Sequence, residues 1–363
     1  MDAHDIAAGR IEANMGLVQH YPALNRPPEP VCSVCIANYN GVALLADCLE
    51  SVLAQEGDLS IEIIVHDDAS TDASVAWLRE NYPQVELLAS AQNVGFCISN
   101  NRMVAHARGE YILLLNHDAA LAPDALVTLL DAVRQQQPHG VLTLPQYDWE
   151  SGALVDRGCL LDPFYNPVPN LDPERRDVAM SIGACLWLPR ALWLELDGFP
   201  EWFESIAEDL YLCCRARLAG YPMQVTARSG YRHRQGSSFG GNRAGKNGLV
   251  TTYRRRRLSE RNKSFVLVIC APSILCWLML PVHILALALE GLALSLFRHD
   301  ARLWREVYAG VWEALWKHRS HLHTQRRQVQ EKRLLSTIHF LHGFTLAPRK
   351  LLMLWRYGLP RMN

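Results

Sequence analysis

The chain has 363 residues, of which 49% are hydrophobic and 20% charged, and its formal net charge is −1. This composition excludes a collagen-like repeat, a coiled-coil rod and a wholly disordered chain, and the length allows two domains. The near-neutral total hides an asymmetry. Residues 1–253 hold 17 Lys and Arg against 31 Asp and Glu, whereas residues 254–363 hold 19 against 6. A basic tail of this kind is typical of a protein that meets anionic lipid or nucleic acid.

Strand and helix patterns alternate four times after a polar segment, residues 1–30, that ends in NRPPEP and predicts an N-terminal extension. The predicted strands are VCSVCIAN, IEIIVHDD, VELLAS and YILLLN, and the predicted helices cover residues 42–55, 69–82, 97–108 and 123–136. The second strand is too apolar for a sheet with one solvated face. We therefore predict an α/β fold with a mostly parallel, doubly wound sheet.

Past residue 140 the apolar segments are shorter and turns are more frequent, as expected where mixed strands extend a sheet. A helix is predicted at residues 208–220, EDLYLCCRARLAG, because its last residue, Gly220, suits the position after a helix end.

A long apolar run follows, with 26 residues between Lys263 and Glu290 that carry no formal charge. This exceeds the roughly 20 residues needed to cross a bilayer. Pro272 and Pro281 interrupt the run, however, and basic residues flank both of its ends. We therefore predict an interfacial or re-entrant helical hairpin rather than a single crossing. A buried helix pair in a soluble protein is the alternative.

Polar side chains follow each of the four predicted strands, at the sheet edge where ligands of open α/β folds bind. They are Asn38, Tyr39 and Asn40; Asp67, Asp68 and Ser70; Asn93, which Gly95 follows two residues later; and Asn116, His117 and Asp118. A single residue of this kind is usually a turn or a helix cap. The sequence lacks G-x-G-x-x-G and G-x-x-x-x-G-K-[ST], so ligand phosphates would need a metal. Asp118 is the natural oxygen ligand for Mg2+ or Mn2+.

Five segments, in order, carry a family resemblance. They are SVCIANYNG, IIVHDDASTDAS, NVGFCISNNRMVAHARGEYILLLNHDAAL, LDGFPEWFESIAEDLYLCCRARLAGY and YRHRQGSSFG. Together they resemble the family 2 glycosyltransferases with the GT-A fold, most of all the bacterial rhamnosyltransferase-like members that build surface polysaccharides such as O-antigen. The resemblance covers residues 31–262. It implies a GT-A domain at residues 31–253. The basic and apolar composition of the tail predicts a membrane-associated α-helical region at 254–363.

The resemblance also implies roles for individual residues. Asp209 matches the general base, with Glu208 beside it, and Asp118 matches the metal-binding end of the DXD motif, with His233 as a second metal contact. The donor-binding residues would be Asn38, Asn40, Asp67, Asp68, Asn93, Gly95, Asn101, Asn116 and His117. The sequence departs from the family pattern at Asn116 and His117 of the DXD motif, and at Asp68, where Asn is frequent.

Each of two such assignments has a structural alternative. Glu208 and Asp209 could simply stabilise the N-terminus of a helix, because their negative charges interact favourably with the helix dipole there. His233 stands between Arg232 and Arg234, so it could belong to a solvated basic surface. A mobile lid is the expectation for the glycine-rich GSSFGGN segment that follows.

These features predict an inverting glycosyltransferase that uses Mg2+ or Mn2+. It would move a sugar, with rhamnose as one candidate, from a nucleotide-sugar donor to a polyprenyl-diphosphate-linked saccharide. The cytoplasmic face of the bacterial inner membrane is the expected location. Anionic membrane lipid, not nucleic acid, is the expected partner of the tail, because the basic run at 254–257 adjoins the apolar segment.

Three other functions compete with this prediction. The acceptor could be unconnected to lipid, or the chain could be a catalytically silent, membrane-bound protein that binds nucleotide sugars. The third is a sugar nucleotidyltransferase. Such an enzyme normally has a glycine-rich, basic loop after the first strand, and ANYNG at residues 37–41 is not such a loop, which disfavours this function.

Overall fold

A computed structural model describes residues 18–236, 244–245, 248–359 and 361–362. The chain divides into two compact units. Unit 1 consists of Met1–Leu144, Gly183–Ser205 and Arg228–His233, and unit 2 of Pro145–Ile182, Ile206–Ala227 and Arg234–Asn363. The chain therefore passes between the units several times, and the division at residue 253 remains a prediction about domain organisation.

Unit 1 is an α/β unit. Its strands are β1 (Val18–Tyr21), β2 (Cys32–Asn38), β3 (Ile61–Asp67), β4 (Glu86–Ser90), β5 (Tyr111–Asn116), β6 (Ala119–Leu121), β7 (Val141–Thr143), β12 (Cys185–Pro189) and β14 (Tyr231–His233). Its helices are α1 (Val42–Leu53), α2 (Ser74–Asn81), α3 (Phe96–His106), α4 (Ala125–Arg134) and α5 (Arg190–Glu195), with a 3-10 turn at Glu201–Phe203. The four predicted strands and four predicted helices all occur, and their ends differ by a few residues.

The described part of unit 1 has a mixed sheet in the order β1-β4-β3-β2-β5-β12-β7. Strands β4, β3, β2 and β5 are parallel, whereas β1 and β12 run antiparallel to their neighbours. The predicted fold class is confirmed. Since β3 lies on one side of β2 and β5 on the other, the order of the strands reverses there, and open α/β sheets bind ligands at such a switch point.

The core of unit 1 lies on both faces of this sheet. Val34, Ile36 and Ile64, on the central strands, are wholly buried, as expected for parallel strands covered by helices on both sides. Helix α1 places a stripe of buried residues against the sheet: Leu45, Cys48, Leu49 and Val52. This rigid core fixes the positions of the strand ends, where the polar residues lie.

Strand β1 lies within the segment predicted as a polar extension, where its short sequence, VQHY, gave no strand signal. It pairs antiparallel with β4 through four residue pairs. Glu86 of β4 helps to hold this segment, because its carboxylate accepts hydrogen bonds from His20 (2.5 Å), the Ala23 amide (2.8 Å) and Arg26 (3.0 Å). A buried carboxylate with several donors therefore attaches the edge strand to the sheet.

Unit 2 combines short strands with helices. Its strands are β8 (Gln146–Asp148), β9 (Leu154–Asp156), β10 (Cys159–Leu161), β11 (Pro167–Pro169), β13 (Met223–Val225), β15 (Ala244–Gly245), β16 (Gly248–Thr251) and β17 (Arg361–Met362). Its helices are α6 (Glu208–Leu218), α7 (Tyr253–Cys270), α8 (Ser273–Arg298), α9 (Ala309–Lys317), α10 (Arg319–Glu331), α11 (Thr337–Leu341) and α12 (Arg349–Tyr357), with a π-helical turn at Leu303–Tyr308. The predicted helix at 208–220 is confirmed.

Helices α7 and α8 form a hairpin whose turn contains Ala271 and Pro272, as the proline pattern suggests. Pro281, by contrast, lies inside α8 and does not end it. A proline inside a helix leaves one carbonyl without its usual donor, and Pro281 lies on the exposed side. Among the described residues, α8 is the one helix long and apolar enough to cross a membrane by length and composition.

Candidate active site

The first part of the site lies where β2 and β3 end side by side in unit 1. Asn38 and Asp67 occupy paired positions in the sheet, and Asn38 Nδ2 donates to Asp67 Oδ2 over 2.7 Å. Ser70 completes the arrangement, because its amide donates to Asp67 Oδ1 (3.0 Å) and its hydroxyl to Asp67 Oδ2 (2.7 Å). Both Asn38 and Asp67 are almost fully buried. The carboxylate is thereby held in one orientation at the sheet edge.

Asp68, the next residue, organises the loop after β4. Its carboxylate accepts hydrogen bonds from the amides of Val94 (2.7 Å) and Gly95 (2.8 Å), and its carbonyl accepts one from Asn93 Nδ2 (3.2 Å). Gly95 has φ +88°, a backbone conformation that residues other than glycine rarely adopt. Burial raises the pKa of Asp68, although the two amides oppose that effect. Asp68 thus acts as a loop anchor, and Asn93 remains exposed.

At the switch point between β2 and β5, the ring of His117 approaches the backbone of Gly41. His117 Nδ1 lies 3.1 Å from the carbonyl of Ala37, and because a carbonyl only accepts, Nδ1 carries the proton. A β-carbon at residue 41 would lie 2.4 Å from Asn38 Oδ1 and 2.6 Å from His117 Cδ2, so the close packing requires glycine. Asn38 Oδ1 is buried here without a hydrogen-bond partner among the described residues, which marks an acceptor available to a ligand.

The two predicted metal-binding residues meet. Strand β14 pairs antiparallel with β6, with His233 opposite Ala119, and His233 Nε2 lies 3.1 Å from Asp118 Oδ1. Both side chains are buried, which excludes the alternative of a solvated position for His233. A carboxylate oxygen and an imidazole nitrogen at this spacing fit a divalent cation. His233 Nδ1, buried without a described partner, would carry the ring proton when Nε2 binds a metal.

Three predicted donor-binding residues have other surroundings. Asn40, exposed at φ +51°, accepts hydrogen bonds from the backbone of Thr71 (2.7 Å) and Asp72 (3.3 Å). Asn101 donates to the Phe199 carbonyl (2.9 Å) and accepts from the Phe199 amide (3.0 Å), so its amide group holds the segment around residue 199. Asn116 ends β5, and its amide donates to the Ala184 carbonyl (3.1 Å). Asn40 and Asn101 therefore shape loops, and a direct donor contact for them remains a prediction.

The predicted catalytic pair begins α6 in unit 2. Glu208 is buried and Asp209 partly exposed. Burial, assisted by the neighbouring charge of Asp209, raises the pKa of Glu208 to about 8. Glu208 Oε2 has no hydrogen-bond partner among the described residues, which agrees with a protonated carboxyl. Burial therefore disfavours the ionised form of Glu208, whereas the Asp209 side chain is partly exposed to solvent.

The chain just before this pair is strained. Ile206 and Ala207 have φ +73° and +66°, and a β-branched residue such as isoleucine is a clear outlier there. Asn262, which is wholly buried in α7, donates to the Ile206 carbonyl over 2.7 Å, and Arg261 Nε donates to Asn262 Oδ1 over 2.9 Å. Sequence reasoning missed Asn262. Its position beside a basic run gave no sign that it would contact the segment preceding Asp209.

A second group of potential metal ligands is His20, Glu86 and His106, whose ligand atoms lie within 4.8 Å of one another. Arg26 already occupies this place, because its Nη1 lies 3.0 Å from Glu86 Oε1 and 3.2 Å from His106 Nε2. Burial works against ionisation of Glu86, yet the Ala23 amide and both histidines hold its pKa at about 2. The group is an ion-pair cluster that attaches β1, and it does not fit a cation.

The mixed sheet, its switch point and the polar strand ends define an α/β protein with the GT-A architecture. The chain belongs to the family 2 glycosyltransferases. Residues 33–160 match the family described as glycosyl transferase family 2, and residues 111–297 match glycosyl transferase family group 2. The family resemblance read from the five sequence segments is therefore confirmed.

Similar proteins carry related names. An Escherichia coli chondroitin synthase is 29% identical over 223 residues, which are 57% of this chain and 31% of that protein. An N-acetylglucosaminyl-diphospho-decaprenol L-rhamnosyltransferase of Mycobacterium tuberculosis is 26% identical over 191 residues, 44% of this chain and 62% of that protein. The chain spans between about a fifth and three fifths of the length of such relatives.

Among solved structures, GalNAc-T7 with UDP, GalNAc and Mn2+ has a TM-score of 0.52, with 15% identity, 67% of this chain covered and 48% of that one. At this identity the likeness bears on the fold alone. It supports the assignment of the GT-A architecture.

Proposed function

We propose that this chain is an inverting glycosyltransferase that takes a sugar from a nucleotide-sugar donor. The observation that carries the proposal is the Asn38–Asp67 pair, which is buried at the ends of the parallel strands β2 and β3, beside the switch point, with Asn38 Oδ1 left available. A fixed carboxylate next to an unpaired acceptor can bind hydroxyl and N–H groups of a nucleoside. Donor binding at Asn38, Asp67, Asn93, Asn116 and His117 belongs to this proposal.

The proposed reaction is a direct displacement. Asp209 accepts the proton of an acceptor hydroxyl, whose oxygen bonds to the anomeric carbon while the bond from that carbon to the nucleoside diphosphate breaks. Attack opposite to the leaving group inverts the anomeric centre. A divalent cation held by Asp118 and His233 would neutralise charge that develops on the leaving diphosphate.

The protonation of the two acids supports Asp209 as the base. A base must be ionised at working pH, and the pKa of Glu208, about 8, leaves its carboxyl mostly protonated at pH 7. Glu208 would then act as a buried hydrogen-bond donor, available to hold an acceptor hydroxyl.

A lipid-linked acceptor at the cytoplasmic face of the inner membrane is the finer part of the proposal. The name of the M. tuberculosis relative, which refers to a decaprenol-linked acceptor and to rhamnose, supports it. So does the exposed apolar surface of α8, where Trp277 is 82% and Leu296 72% exposed. A polysaccharide acceptor without lipid is the competing function, supported by the name of the chondroitin synthase relative.

The test is release of nucleoside diphosphate by the detergent-purified full chain, with a panel of nucleotide sugars and either polyprenyl-linked or free saccharide acceptors. Each reaction runs with Mn2+, with Mg2+ and with chelator. We expect release with one donor, dependent on metal and on the polyprenyl-linked acceptor. Equal rates with free saccharide would remove the lipid from the proposal, and equal rates with chelator would remove the metal.

Asp118→Asn and His233→Gln are the site variants, and Asp131→Asn, which changes a half-exposed carboxylate on α4, is the matched control. We expect the two site variants to raise the Mn2+ concentration needed for half-maximal rate, and the control to leave it unchanged. Nucleotide-sugar binding without any turnover, by the unmodified chain with every acceptor, would favour the catalytically silent protein.

A further inference from the structure

Helix α8 has two apolar faces with opposite environments. One face packs inside unit 2 through His283, Leu287, Gly291 and Leu294. The other is exposed and carries large hydrophobic residues: Ile274, Trp277, Leu278, Val282, Leu285, Leu289, Leu292 and Leu296. At 100° per residue these eight positions fall within an arc of about 140°, centred opposite the buried face. No formally charged residue interrupts the stripe.

Polar and charged groups lie beside α8 at three places: at the turn before it, near its middle and toward its end. Near its start, Arg326 of α10 donates to the carbonyls of Val268 (2.6 Å) and Ala271 (2.7 Å), at the turn before α8. At its middle, Ser264 Oγ lies 2.8 Å from His283 Nε2.

The charged groups continue toward the end of α8. Glu290 accepts hydrogen bonds from Arg256 (2.7 Å) and Lys350 (2.6 Å), and Lys350 also contacts Glu260 (2.9 Å). The charged part of unit 2 therefore runs beside α8 and is not confined to one end of it.

This arrangement opposes a transmembrane orientation of α8. The helix is about 39 Å long at 1.5 Å per residue, so a perpendicular crossing would place its middle and the adjoining charged groups in hydrocarbon. Ionised side chains at that depth are strongly unfavourable. A helix parallel to the membrane surface places the exposed stripe in the lipid and keeps these groups on the other side of the helix axis.

We propose that α8 lies in the plane of an anionic bilayer surface, with the stripe from Ile274 to Leu296 immersed and both helix ends at the same depth. The basic excess of residues 254–363 supports anionic lipid as the occupant, as do the exposed Arg298, Arg302 and Arg305 that follow the stripe. Trp277, exposed on the stripe, is the residue type enriched at membrane interfaces. This inference rests on the proposed function, because it locates the enzyme at the membrane that carries its acceptor.

The test measures immersion depth at three positions of the stripe in the full chain. Leu278→Cys, Leu285→Cys and Leu292→Cys are made in a Cys276→Ser background, since the other nine cysteines are buried. Each variant is spin-labelled, and label accessibility to oxygen and to a water-soluble nickel complex gives the depth. The vesicles contain phosphatidylcholine with or without phosphatidylglycerol.

We expect the three labels to lie at one depth in vesicles with phosphatidylglycerol. In a helix that crosses the bilayer, the label at residue 285 would lie about 10 Å deeper than both others, because seven helical residues span that distance. Such a result would overturn the proposal. Labels that stay water-accessible, or that are shielded without vesicles by a second copy of the chain, would overturn it as well. No sugar donor is present, so a failure of glycosyl transfer would not alter this result.

A binding measurement complements the depth measurement. The double variant Leu285→Glu, Leu289→Glu should bind anionic vesicles at least about tenfold more weakly, since two charges replace immersed apolar groups. Leu194→Glu, at a leucine that is 47% exposed on α5, is the matched control and should bind as the unmodified chain does. Equal binding by the double variant would exclude the stripe as the contact surface.

Discussion

Two adjacent carboxyl groups at the start of α6 have different surroundings, and the proposed reaction gives them different functions. Glu208 is buried with an unpaired oxygen, whereas Asp209 is partly exposed and accepts a hydrogen bond from the Leu210 amide over 2.7 Å. Two like charges this close oppose ionisation of one another, so the more buried acid keeps its proton. This asymmetry is the reason for proposing Asp209, and not Glu208, as the base.

Exchange of these two acids for amides should therefore have unequal effects. Asp209→Asn removes the proposed base and should lower kcat by about 10²–10⁴-fold, the range for general acid–base catalysis. Glu208→Gln resembles the protonated acid and should retain most of kcat at pH 7. The measurement is kcat of both variants under saturating donor and acceptor. A larger loss in Glu208→Gln than in Asp209→Asn would assign the base to Glu208.

Glu208 should also make stability depend on pH. Its pKa is about 8 in the folded chain and close to 4.5 when unfolded, so between these values the unfolded chain binds fewer protons. The free energy of unfolding should fall as pH rises from about 4.5 to 8, by at most about 1.4 kcal/mol per pH unit from this group. Urea denaturation of the unmodified chain and of Glu208→Gln at pH 5 and pH 8 measures this. Equal declines in both proteins would contradict the raised pKa.

At the scale of elements, helix α7 supports the strained segment that leads into α6. Backbone conformations such as those of Ile206 and Ala207 cost about 1–3 kcal/mol each and persist only where the surroundings hold them. The Asn262 side chain supplies one such restraint at the Ile206 carbonyl. A long helix with a buried polar residue thus sets the direction in which α6 begins.

Asn262→Asp tests this restraint with almost no change of shape. An ionised aspartate cannot donate to the Ile206 carbonyl, so we expect a lower kcat with a smaller change in the KM for the donor. The pH profile of kcat should shift as well, because a new carboxylate lies at the segment that leads into Asp209. Asn81→Asp, in which an exposed asparagine donates to the Trp77 carbonyl over 2.9 Å, is the control. A melting temperature that falls without any change in kcat or in the pH profile would leave Asn262 a purely structural role.

For the whole molecule, a charge cluster in unit 2 connects the end of the chain to two earlier helices. Lys350 of α12 bridges Glu260 of α7 and Glu290 of α8. Burial by itself would raise the pKa of Glu260, but Lys263, Lys350 and Arg256 hold it well below its usual range. The basic residues of this segment are therefore not all surface charges, and some hold helices together.

Lys350→Met should expose this role. It leaves two carboxylates without their shared partner, and we expect a loss of about 1–3 kcal/mol in the free energy of unfolding. The expected loss is smaller than the loss on breaking a fully buried ion pair, because the Lys350 side chain is 33% exposed. The measurement is urea denaturation. Lys332→Met, at an exposed lysine directly after α10, is the control. Equal midpoints for both variants would show that the cluster contributes nothing measurable.

Some of this architecture follows from the sequence by local physics. The apolar runs of β2, β3 and β5 predict a parallel sheet, and the strand-end rule leads to Asn38, Asp67 and His117. Contacts between residues that are far apart in the sequence cannot be predicted from local patterns. The approach of His233 to Asp118, 115 residues earlier, was expected only through the family resemblance. The direction of the Asn101 amide toward residue 199 and the burial of Asn262 depend on packing that no local pattern encodes.

The discontinuous course of unit 1 affects how it can form during synthesis. Strand β5 ends at residue 116, but its antiparallel neighbour β12 comes only at residues 185–189, and β14, which pairs with β6, at 231–233. At about 5–20 residues per second, the ribosome needs roughly 4–15 s to pass from the end of β5 to the end of β12. During that interval the nascent sheet carries an open apolar edge, the kind of surface that chaperones bind. The order in which the chain emerges thus leaves that edge of unit 1 without its partner strand until residues 185–189 have been synthesised.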